Sequence, residues 1–347
     1  MSYNILGINT SHNGSVCVLK DGKVDFFLEE ERISRFKHDN YPIEILKSIP
    51  KNYNINEICI SGLNHHWTQK NFDLYISYLK SLFPNITIHN FLLQHHLCHA
   101  LSSFYNSKFK KCMGVVIDGC GSYIKSSKGR EAETESIYTL DYLNSPTCIY
   151  KSNRLVDVKE PISLAKVYEG ITVNLGFKWY EAGKTMGLSS YGKYNNQIPK
   201  LYKNGKGNPL LFNNKGNVNG TLKEKYKYLL NSKDLKQDLA YKVQQESQQA
   251  VGDLIEKYLK ETGLKQVCCS GGYFLNCVAN YYLIKRFSDI EFYFEPISSD
   301  AGISIGAAKL LWYKKVKDKI INSQKTLYYG PKYLKKEILE QIDKYLD

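Results

Sequence analysis

The chain has 347 residues, of which 43% are hydrophobic and 23% are charged, so it can bury a sizeable core and is not globally disordered. The length is typical of about two domains. No apolar run approaches the ~18 residues of a membrane-spanning helix, and we expect no contact with a membrane. The first residues lack the basic and apolar regions of a signal peptide, so we expect a cytoplasmic protein.

The formal net charge is +13, but only five of the 47 basic residues are arginine, and the lysines are scattered. Nucleic-acid-binding proteins commonly gather arginine and lysine into patches, so we expect no nucleic-acid partner. We interpret the charge as solvated surface that also attracts phosphorylated small molecules. The nine cysteines include no CxxC pair, which predicts buried, reduced thiols and excludes a disulfide framework or a zinc ribbon.

The first third of the chain is predicted to begin with three short strands. Turn residues at His12-Asn13-Gly14 and at Asp21-Gly22 separate the apolar segments that form them. The predicted elements are strands at 5–8, 15–19 and 24–27, a helix near 42–49, a strand near 57–61, an amphipathic helix near 70–82 and a strand near 86–91.

A similar series of elements recurs about 110 residues later. Its predicted members are strands at 114–117, around 121–126 and 135–142, helices near 163–175 and 237–261, a strand at 266–270 and a helix near 274–287. The recurrence predicts an α/β protein with two duplicated lobes and a cleft between them. We place the lobes at 1–110 and 111–325, with 193–235 as an insertion or loop and 326–347 as a tail with a helix at 333–346.

The strongest chemical signal is the histidine-rich segment 94–99. His95 and His99 are four residues apart and share one face of a helix, where both can bind one metal ion. Asp118 ends an apolar strand in a glycine-rich turn, and Asp300 precedes a second apolar segment. Two imidazoles and two carboxylates suit Fe(II), Mn(II) or Zn(II). The alternatives are solvated or core-edge histidines, an Asx turn at Asp118 and a helix cap at Asp300.

Three glycine-rich turns are candidates for binding a phosphate group, because glycine lets a ligand approach the backbone closely. One follows Asp118, a second joins a strand to a helix near residue 271, and a third resembles the end of a Walker A motif near residue 184. The third lacks the first glycine of that motif, so we reject a P-loop. The candidate residues in these turns are Gly119, Gly121, Lys184, Gly187, Gly271 and Gly272.

Taken together, these motifs resemble the O-carbamoyltransferase family of nodulation and antibiotic biosynthesis. The matching segments occur in order between residues 5 and 331, nearly the whole chain. They include HHLCHALSSFY (95–105), VVIDGCGSY (115–123), EAGKTMGLSSYGK (181–193), CSGGYFLNC (269–277) and PISSDAGISIGAA (296–308). The resemblance implies two RNase H-like lobes of the actin-like, sugar-kinase and Hsp70 superfamily, similar to the tRNA threonylcarbamoyl-transferases.

The resemblance also implies roles for particular residues. The two histidines and two aspartates named above would hold the metal, commonly iron, and the turn at Gly271-Gly272 would hold the nucleotide together with Asn276. His12 lies in the matching N-terminal turn and is a candidate general base for the acceptor's proton. Lys37, in a segment of mixed charge, is a candidate for stabilising phosphate charge, whereas the alternative is a solvated loop.

The reaction implied by the resemblance has two steps. A YrdC-like domain joins carbamoyl phosphate and ATP into carbamoyladenylate, and a domain like this chain passes the carbamoyl group to a hydroxyl of a small molecule or glycan, with Lewis-acid assistance from the metal. The YrdC-like domain usually follows the segment that corresponds to Gly330-Pro331, where this chain nearly ends. We therefore predict a separate YrdC-like partner that docks near the tail helix. A truncated chain and a pseudoenzyme are the alternatives.

The sequence does not exclude other functions of the same fold. A tRNA-modifying threonylcarbamoyl-transferase would share the fold and the spaced histidines, and the net charge would suit RNA. A non-catalytic scaffold is disfavoured because all four candidate ligands are present. A kinase of the same superfamily would phosphorylate its acceptor instead. The sequence does not identify the acceptor, the metal or the oligomeric state.

Overall fold

The computed structural model describes residues 2–49, 53–127, 129–156, 162–212, 221–316, 323–324, 326–331 and 333–345. In chain order the strands are β1 (Asn4–Asn9), β2 (Ser15–Lys20), β3 (Lys23–Glu29), β4 (Ile55–Ser61), β5 (Thr87–Asn90), β6 (Lys111–Ile117), β7 (Tyr123–Ser126), β8 (Gly129–Asp141), β9 (Thr147–Leu155), β10 (Tyr202–Lys203), β11 (Lys206–Gly207), β12 (Gln266–Ser270) and β13 (Glu291–Phe294).

The α-helices are α1 (Glu31–Ser34), α2 (Ile43–Ser48), α3 (Gln69–Leu82), α4 (His95–Asn106), α5 (Leu164–Asn174), α6 (Ala182–Ser189), α7 (Lys233–Thr262), α8 (Cys277–Arg286), α9 (Ile303–Val316) and α10 (Lys335–Asp343). Short 3-10 helices span Asn64–His66, Glu224–Leu230, Gly272–Leu275 and Asp300–Gly302. None of the helices in the described ranges combines the length and the apolar composition that a membrane crossing requires.

The first sheet has the strand order β3-β2-β1-β4-β5. β2 is antiparallel to both β1 and β3, whereas β1 is parallel to β4, so three hairpin-connected strands are followed by crossover connections. Asp21 and Gly22 have positive φ values of 47° and 80°, which the predicted two-residue hairpin turn requires. Every residue of β1 is buried, because α2 and α3 pack with one face of the sheet and α9 covers the other.

The second sheet repeats this arrangement. Its order is β13-β12-β6-β8-β7, and β9 also pairs with β8. With β9 taken as the third strand, the order β9-β8-β6-β12-β13 and the directions of the pairs match those of the first sheet. The prediction of two duplicated lobes of an actin-like fold is therefore confirmed.

Helices α4 and α9 cross between the two lobes. α4 precedes the second sheet in sequence and packs on β6, β8 and β12, whereas α9 follows the second sheet and returns to pack on β1, β2 and β4. The two helices also pack on each other, and their apolar side chains form the core that lies between the sheets. The division of the chain at residue 110 stays a prediction.

Most predicted elements are present within a few residues; the short helix α1 was not predicted, and the other differences lie in the second lobe. Residues 182–189 form helix α6 where a turn was predicted, and β9 was not predicted. Of the segment 193–235, residues 213–220 lie outside the described ranges, and the rest holds a hairpin, a 3-10 helix and the start of α7. Its Leu201 and Leu211 are buried in the core, which the polar composition of the segment did not indicate.

The cysteines and the tail follow the sequence predictions in part. All nine cysteines are free thiols, six of them buried. The predicted tail helix is α10, which ends at Asp343 and has no buried side chain in its described residues. The backbone N–H of Phe27 donates to the carbonyl of Tyr329 at 3.1 Å, so the segment before α10 runs beside β3.

Candidate metal centre and interlobe cleft

Four buried side chains meet where the two lobes face each other. His95 and His99 lie on the first turns of α4, Asp118 follows β6, and Asp300 begins the short helix before α9. One ligand atom from each of the four lies within 4.8 Å of the others. The histidine Nε2 atoms are 3.5 Å (His99) and 3.6 Å (His95) from Asp300 Oδ1, and His95 Nε2 is 3.6 Å from Asp118 Oδ2.

The remaining oxygen of each carboxylate is held by other groups. The backbone N–H of Gly272 donates to Asp118 Oδ1 at 3.1 Å, and the hydroxyl of Ser11 donates to Asp300 Oδ2 at 2.6 Å. Each aspartate therefore has one oxygen fixed by the protein and the other directed at the histidines. Such outer partners orient the ligands of metal sites.

The histidines are oriented in the same way. Nδ1 of His95 lies 3.3 Å from the carbonyl oxygen of Gly62, which can only accept, so Nδ1 carries the proton. Nδ1 of His99 lies 3.2 Å from the hydroxyl of Ser270. Both Nε2 atoms are buried and have no hydrogen-bond partner among the described residues. A buried imidazole nitrogen without a partner is costly, and a metal ion would satisfy both nitrogens. The four residues therefore fit a divalent metal.

The electrostatics of the cluster also favour a cation at its centre. Burial raises the pKa of Asp118 and of Asp300, but the neighbouring histidines outweigh this effect and hold both pKa values below the ordinary range. Burial lowers the pKa of His95, yet the charges of Asp300 and Asp118 outweigh it and hold this pKa well above its ordinary value. Two buried carboxylates thus require positive charge beside them.

His96 belongs to the same histidine run but faces away from the centre. Its Nδ1 lies 2.8 Å from the hydroxyl of Ser136, and burial lowers its pKa to about 4. A methyl group built on Gly121 would lie 2.6 Å from the His96 ring. Gly121 therefore makes room for His96, and it does not line the cleft as the nucleotide prediction assumed.

A cleft of about 860 Å³ opens from the four-residue cluster between the lobes. It brings several of the predicted site residues together with Asp118 and Asp300. Among them, His12 brings a titratable side chain against the cluster: its Nδ1 lies 3.4 Å from Asp300 Oδ2 while the side chain stays 31% exposed. The predicted residues that line the cleft are His12, Lys37, Gly119, Gly272, Asn276, Asp118 and Asp300.

Three other residues predicted to bind the nucleotide lie outside the lining of the cleft. Lys184 lies on α6, is largely exposed and pairs with Glu181 at 2.6 Å. A methyl group built on Gly187, which lies on the same helix, would have no neighbouring atom within 4 Å. Gly271 adopts a φ of 99°, and a methyl group there would lie 2.4 Å from the carbonyl oxygen of Ile117, so this glycine shapes the turn. The geometry of the cleft gives no support for nucleotide binding by these three residues, and their roles stay predictions.

The side chain of Asn276 lines the cleft but is already bonded. Its Oδ1 accepts from the backbone N–H of Ala279 at 3.0 Å and caps α8, and its Nδ2 donates to Gln244 at 2.9 Å. Gln244 also accepts from the hydroxyl of Tyr168 at 2.8 Å. A buried glutamine therefore fixes two residues of the cleft wall, which the sequence gave no reason to expect.

Sequence reasoning missed the aromatic and charged residues of the cleft wall. Trp179 and Tyr180 reach across from the second lobe to the rings of His12 and His38, with ring centroids 5.7 and 4.7 Å apart. Lys166 pairs with a neighbouring glutamate at 2.6 Å, beside Gly119. The sequence feature that could have pointed to this cleft wall was the pair of adjacent large aromatic residues before α6. The other lining residues missed include His65, His66, Cys120, Tyr168, Glu169 and Ser299.

Comparison with known proteins relates this geometry to a family. The 24% identical protein sll1178 of Synechocystis sp. matches 96% of this chain and 62% of its own length. The 22% identical nodulation protein NolNO of Sinorhizobium fredii matches 92% of this chain and 49% of its own length. The chain thus spans about half to three fifths of these two relatives.

Solved structures with a similar fold confirm the architecture. Full-length HypF in its phosphate- and nucleotide-bound form covers 89% of this chain, with a TM-score of 0.53 and 17% identity over 46% of its own length. Component A of the (R)-2-hydroxyglutaryl-CoA dehydratase of Acidaminococcus fermentans covers 90%, with a TM-score of 0.53 and 13% identity over 98% of its length. Residues 63–309, most of the chain, match the family model described as the carbamoyltransferase N-terminus, and the protein belongs to that family.

Proposed function

We propose that this protein is an O-carbamoyltransferase, which passes a carbamoyl group from carbamoyladenylate to a hydroxyl of a small molecule or glycan in the cytoplasm. The observation that carries the proposal is the convergence of two histidines and two aspartates at the base of a cleft, with a fifth, partly exposed residue, His12, against one of them. Membership of the carbamoyltransferase N-terminus family supports the type of reaction. The name of the relative NolNO, a nodulation protein, is consistent with it.

His95, His99, Asp118 and Asp300 would hold the metal, Fe(II) or else Zn(II) or Mn(II). Bound there, a divalent ion would supply Lewis acidity to the oxygens of the donor. The chain's own residues set up the rest of the site. Ser11 and Gly272 fix the outer carboxylate oxygens, so the ligands keep their orientation before any ion arrives.

The acceptor's proton would go to His12. Its Nδ1 lies 3.4 Å from Asp300 Oδ2, and a proton held on Nδ1 beside that carboxylate would leave Nε2 to accept the acceptor's proton. The acceptor oxygen attacks the carbamoyl carbon, the bond from that carbon to the phosphate oxygen breaks, and AMP leaves. Lys166, beside Gly119 in the cleft, would neutralise the phosphate of the departing AMP. We keep Gly119, Gly272 and Asn276 as the proposed nucleotide-binding positions, and Lys37 as a supporting cation at the rim.

A separate YrdC-like protein would make the carbamoyladenylate. We propose that it docks near α10, whose described side chains are not buried by the rest of the chain. If so, the purified chain supplied with ATP and carbamoyl phosphate releases no pyrophosphate. Release of pyrophosphate by the chain alone would contradict the need for a partner and leave the transfer step to be tested separately.

Metal content tests the centre directly. Anaerobically purified wild-type protein should contain about one iron, zinc or manganese ion per chain. Asp118→Ala should lose the metal, because it removes one of four ligands, while Asp289→Ala, which removes an exposed carboxylate paired with Lys265, should keep it. Wild-type protein that takes up no metal, even with added Fe(II) and ATP, would rule out the proposed centre.

A further inference from the structure

Two aromatic side chains of the second lobe cross the cleft mouth above the proposed proton acceptor. The ring centroid of Trp179 is 5.7 Å from that of His12, at an interplanar angle of 78°. The ring of Tyr180 lies 4.7 Å from His38. Both aromatic residues line the cleft and keep exposed faces, 44% for Trp179 and 37% for Tyr180. Large aromatic faces left open inside a cleft are surfaces that a ligand can cover.

The position of Trp179 relates it to the acceptor. This step rests on the proposed function, in which the acceptor hydroxyl meets His12. An acceptor whose hydroxyl reaches His12 would lie beside Trp179, because the ring of Trp179 packs on His12 and both line the cleft. The remainder of the acceptor then covers the exposed face of that ring.

The polar side chains that the first lobe contributes to the cleft favour a ligand with hydroxyl groups. Asn40 lines the cleft, and its amide oxygen is buried with no hydrogen-bond partner among the described residues. A side-chain amide in the cleft wall can both donate to and accept from a hydroxyl group of a ligand. An aromatic face beside amide and imidazole side chains suits a ring with apolar C–H faces and hydroxyl edges.

The charges of the cleft disfavour a cationic acceptor. Residues 12–66 contribute Lys37 and four histidines to the lining, and within the described ranges they contribute no carboxylate. The carboxylates of the other half are already engaged: Asp118 and Asp300 face the histidines, and Glu169 pairs with Lys166 through Oε2, while its Oε1 is buried and has no hydrogen-bond partner among the described residues. An ammonium group would therefore lose its hydration without gaining an anionic partner.

We infer that Trp179 and Tyr180 form the acceptor-binding platform, and that the acceptor presents a hydroxylated ring, neutral or acidic, that carries no amine charge. Trp179 determines which acceptors bind by covering one face of the ring. It is not a catalytic residue, since the proton goes to His12.

Saturation-transfer NMR on the zinc-loaded chain tests this inference. The probes are methyl α-glucopyranoside as the neutral ring, glucuronate as the acidic ring, glucosamine as the cationic ring and mannitol as the acyclic polyol. ATP in the same tube reports whether the proposed nucleotide site is intact. We expect transfer to the first two probes and at least threefold weaker transfer to glucosamine and mannitol.

The variants locate the binding surface. Trp179→Ala should weaken binding of the neutral ring about tenfold, the loss expected for about 1.4 kcal/mol of stacking, and Trp179→Phe should retain most of it. Tyr191→Ala is the matched control, because Tyr191 is 75% exposed and lies outside the cleft lining. Retained transfer to ATP shows that each variant is folded.

Three results would overturn the inference. They are equal transfer to the neutral and acidic rings in wild type and Trp179→Ala, stronger transfer to glucosamine than to these two rings, and no transfer to these two rings while ATP still binds. The third result would leave the proposed function standing. Failure to bind both ATP and metal would instead count against the proposed function.

Discussion

His12 is the residue of the site whose role can be separated from metal binding. It contacts Asp300 through Nδ1, yet it is partly exposed and is not one of the four clustered ligands. We expect His12→Ala to lower the rate of carbamoyl transfer by 10²–10⁴-fold, the range for loss of a general base, and to leave the metal content unchanged. Turnover assays beside elemental analysis measure both quantities. Loss of metal together with activity would show that His12 acts on the centre and not on the acceptor.

Lys309 is a buried cation that the proposed reaction does not use. It lies on α9 and donates to the carbonyl of Tyr105 near the end of α4 at 2.9 Å. Burial lowers its pKa from 10.5 to about 8. Between these two values the unfolded chain binds more protons than the folded one, so the free energy of unfolding rises with pH across that window.

The Lys309→Met variant isolates this contribution. We expect the free energy of unfolding of the wild type to gain up to about 3 kcal/mol relative to the variant between pH 8 and 10.5. Denaturant unfolding of both proteins at several pH values measures the difference. Parallel curves would show that the lysine has an ordinary pKa. Tyrosines and cysteines that do not interact with Lys309 titrate in both proteins and cancel in the comparison, whereas Cys17 lies close enough to Lys309 to be affected by the substitution.

At the scale of single residues, spacing in the sequence predicted the cluster but not the cleft wall. His95 and His99 could be paired because helical geometry fixes residues four apart on one face. Glycine-rich turns were weaker guides, since Gly121 makes room for His96 and Gly271 avoids the backbone of Ile117. Trp179 could not be placed, because its contact with His12 joins positions far apart in sequence.

At the scale of elements, the close approach of α9 to its neighbours holds the site together. A methyl group built on Gly306 of α9 would lie 1.9 Å from the carbonyl oxygen of Cys98, which lies on α4 between the two histidines of the cluster. A methyl group built on Gly7 of β1 would lie 2.1 Å from the carbonyl oxygen of Ser304. Glycine at these two positions therefore lets the backbone of α9 contact the backbones of α4 and β1.

Gly306→Ala should disturb both stability and metal binding. The added methyl group forces α4 and α9 apart, so we expect a loss of about 1–3 kcal/mol in the free energy of unfolding and weaker metal binding. Gly187→Ala on α6 is the control, because a methyl group there meets no atom within 4 Å, and we expect no loss of stability. Equal unfolding midpoints for the two variants would contradict the packing argument.

The sequence predicted elements better than it predicted their contacts. The alternating and apolar strands of both sheets are local patterns, and so is the Asp-Gly turn between β2 and β3. The long return of α9 to the first sheet is a tertiary contact that no local pattern encodes. Residues 182–189 were misjudged because two glycines in eight positions disfavour a helix that packing against α7 nevertheless stabilises.

At the scale of the whole molecule, α4 and α9 connect the two sheets around the cluster, because α4 packs on the second sheet, α9 packs on the first, and the two helices pack on each other. The two histidines lie on α4, Asp118 follows β6 of the second sheet, and Asp300 precedes α9. The ligands thus come from elements that pack on both sheets. A metal bound at this position therefore links the lobes and opposes their separation.

A gel shift with bulk tRNA distinguishes the proposed carbamoyltransferase from a tRNA-modifying enzyme of the same fold, because the net charge of +13 is compatible with both. Scattered lysines attract an RNA backbone through charge alone and without specific orientation. Because such binding is purely ionic, its affinity falls steeply as the salt concentration rises. We expect a gel shift with bulk tRNA at low ionic strength that disappears at about 0.15 M salt, where charges are screened within ~8 Å. A shift that persists at that ionic strength and is competed by tRNA but not by heparin would favour the tRNA-modifying function, because specific contacts survive screening that removes purely ionic ones.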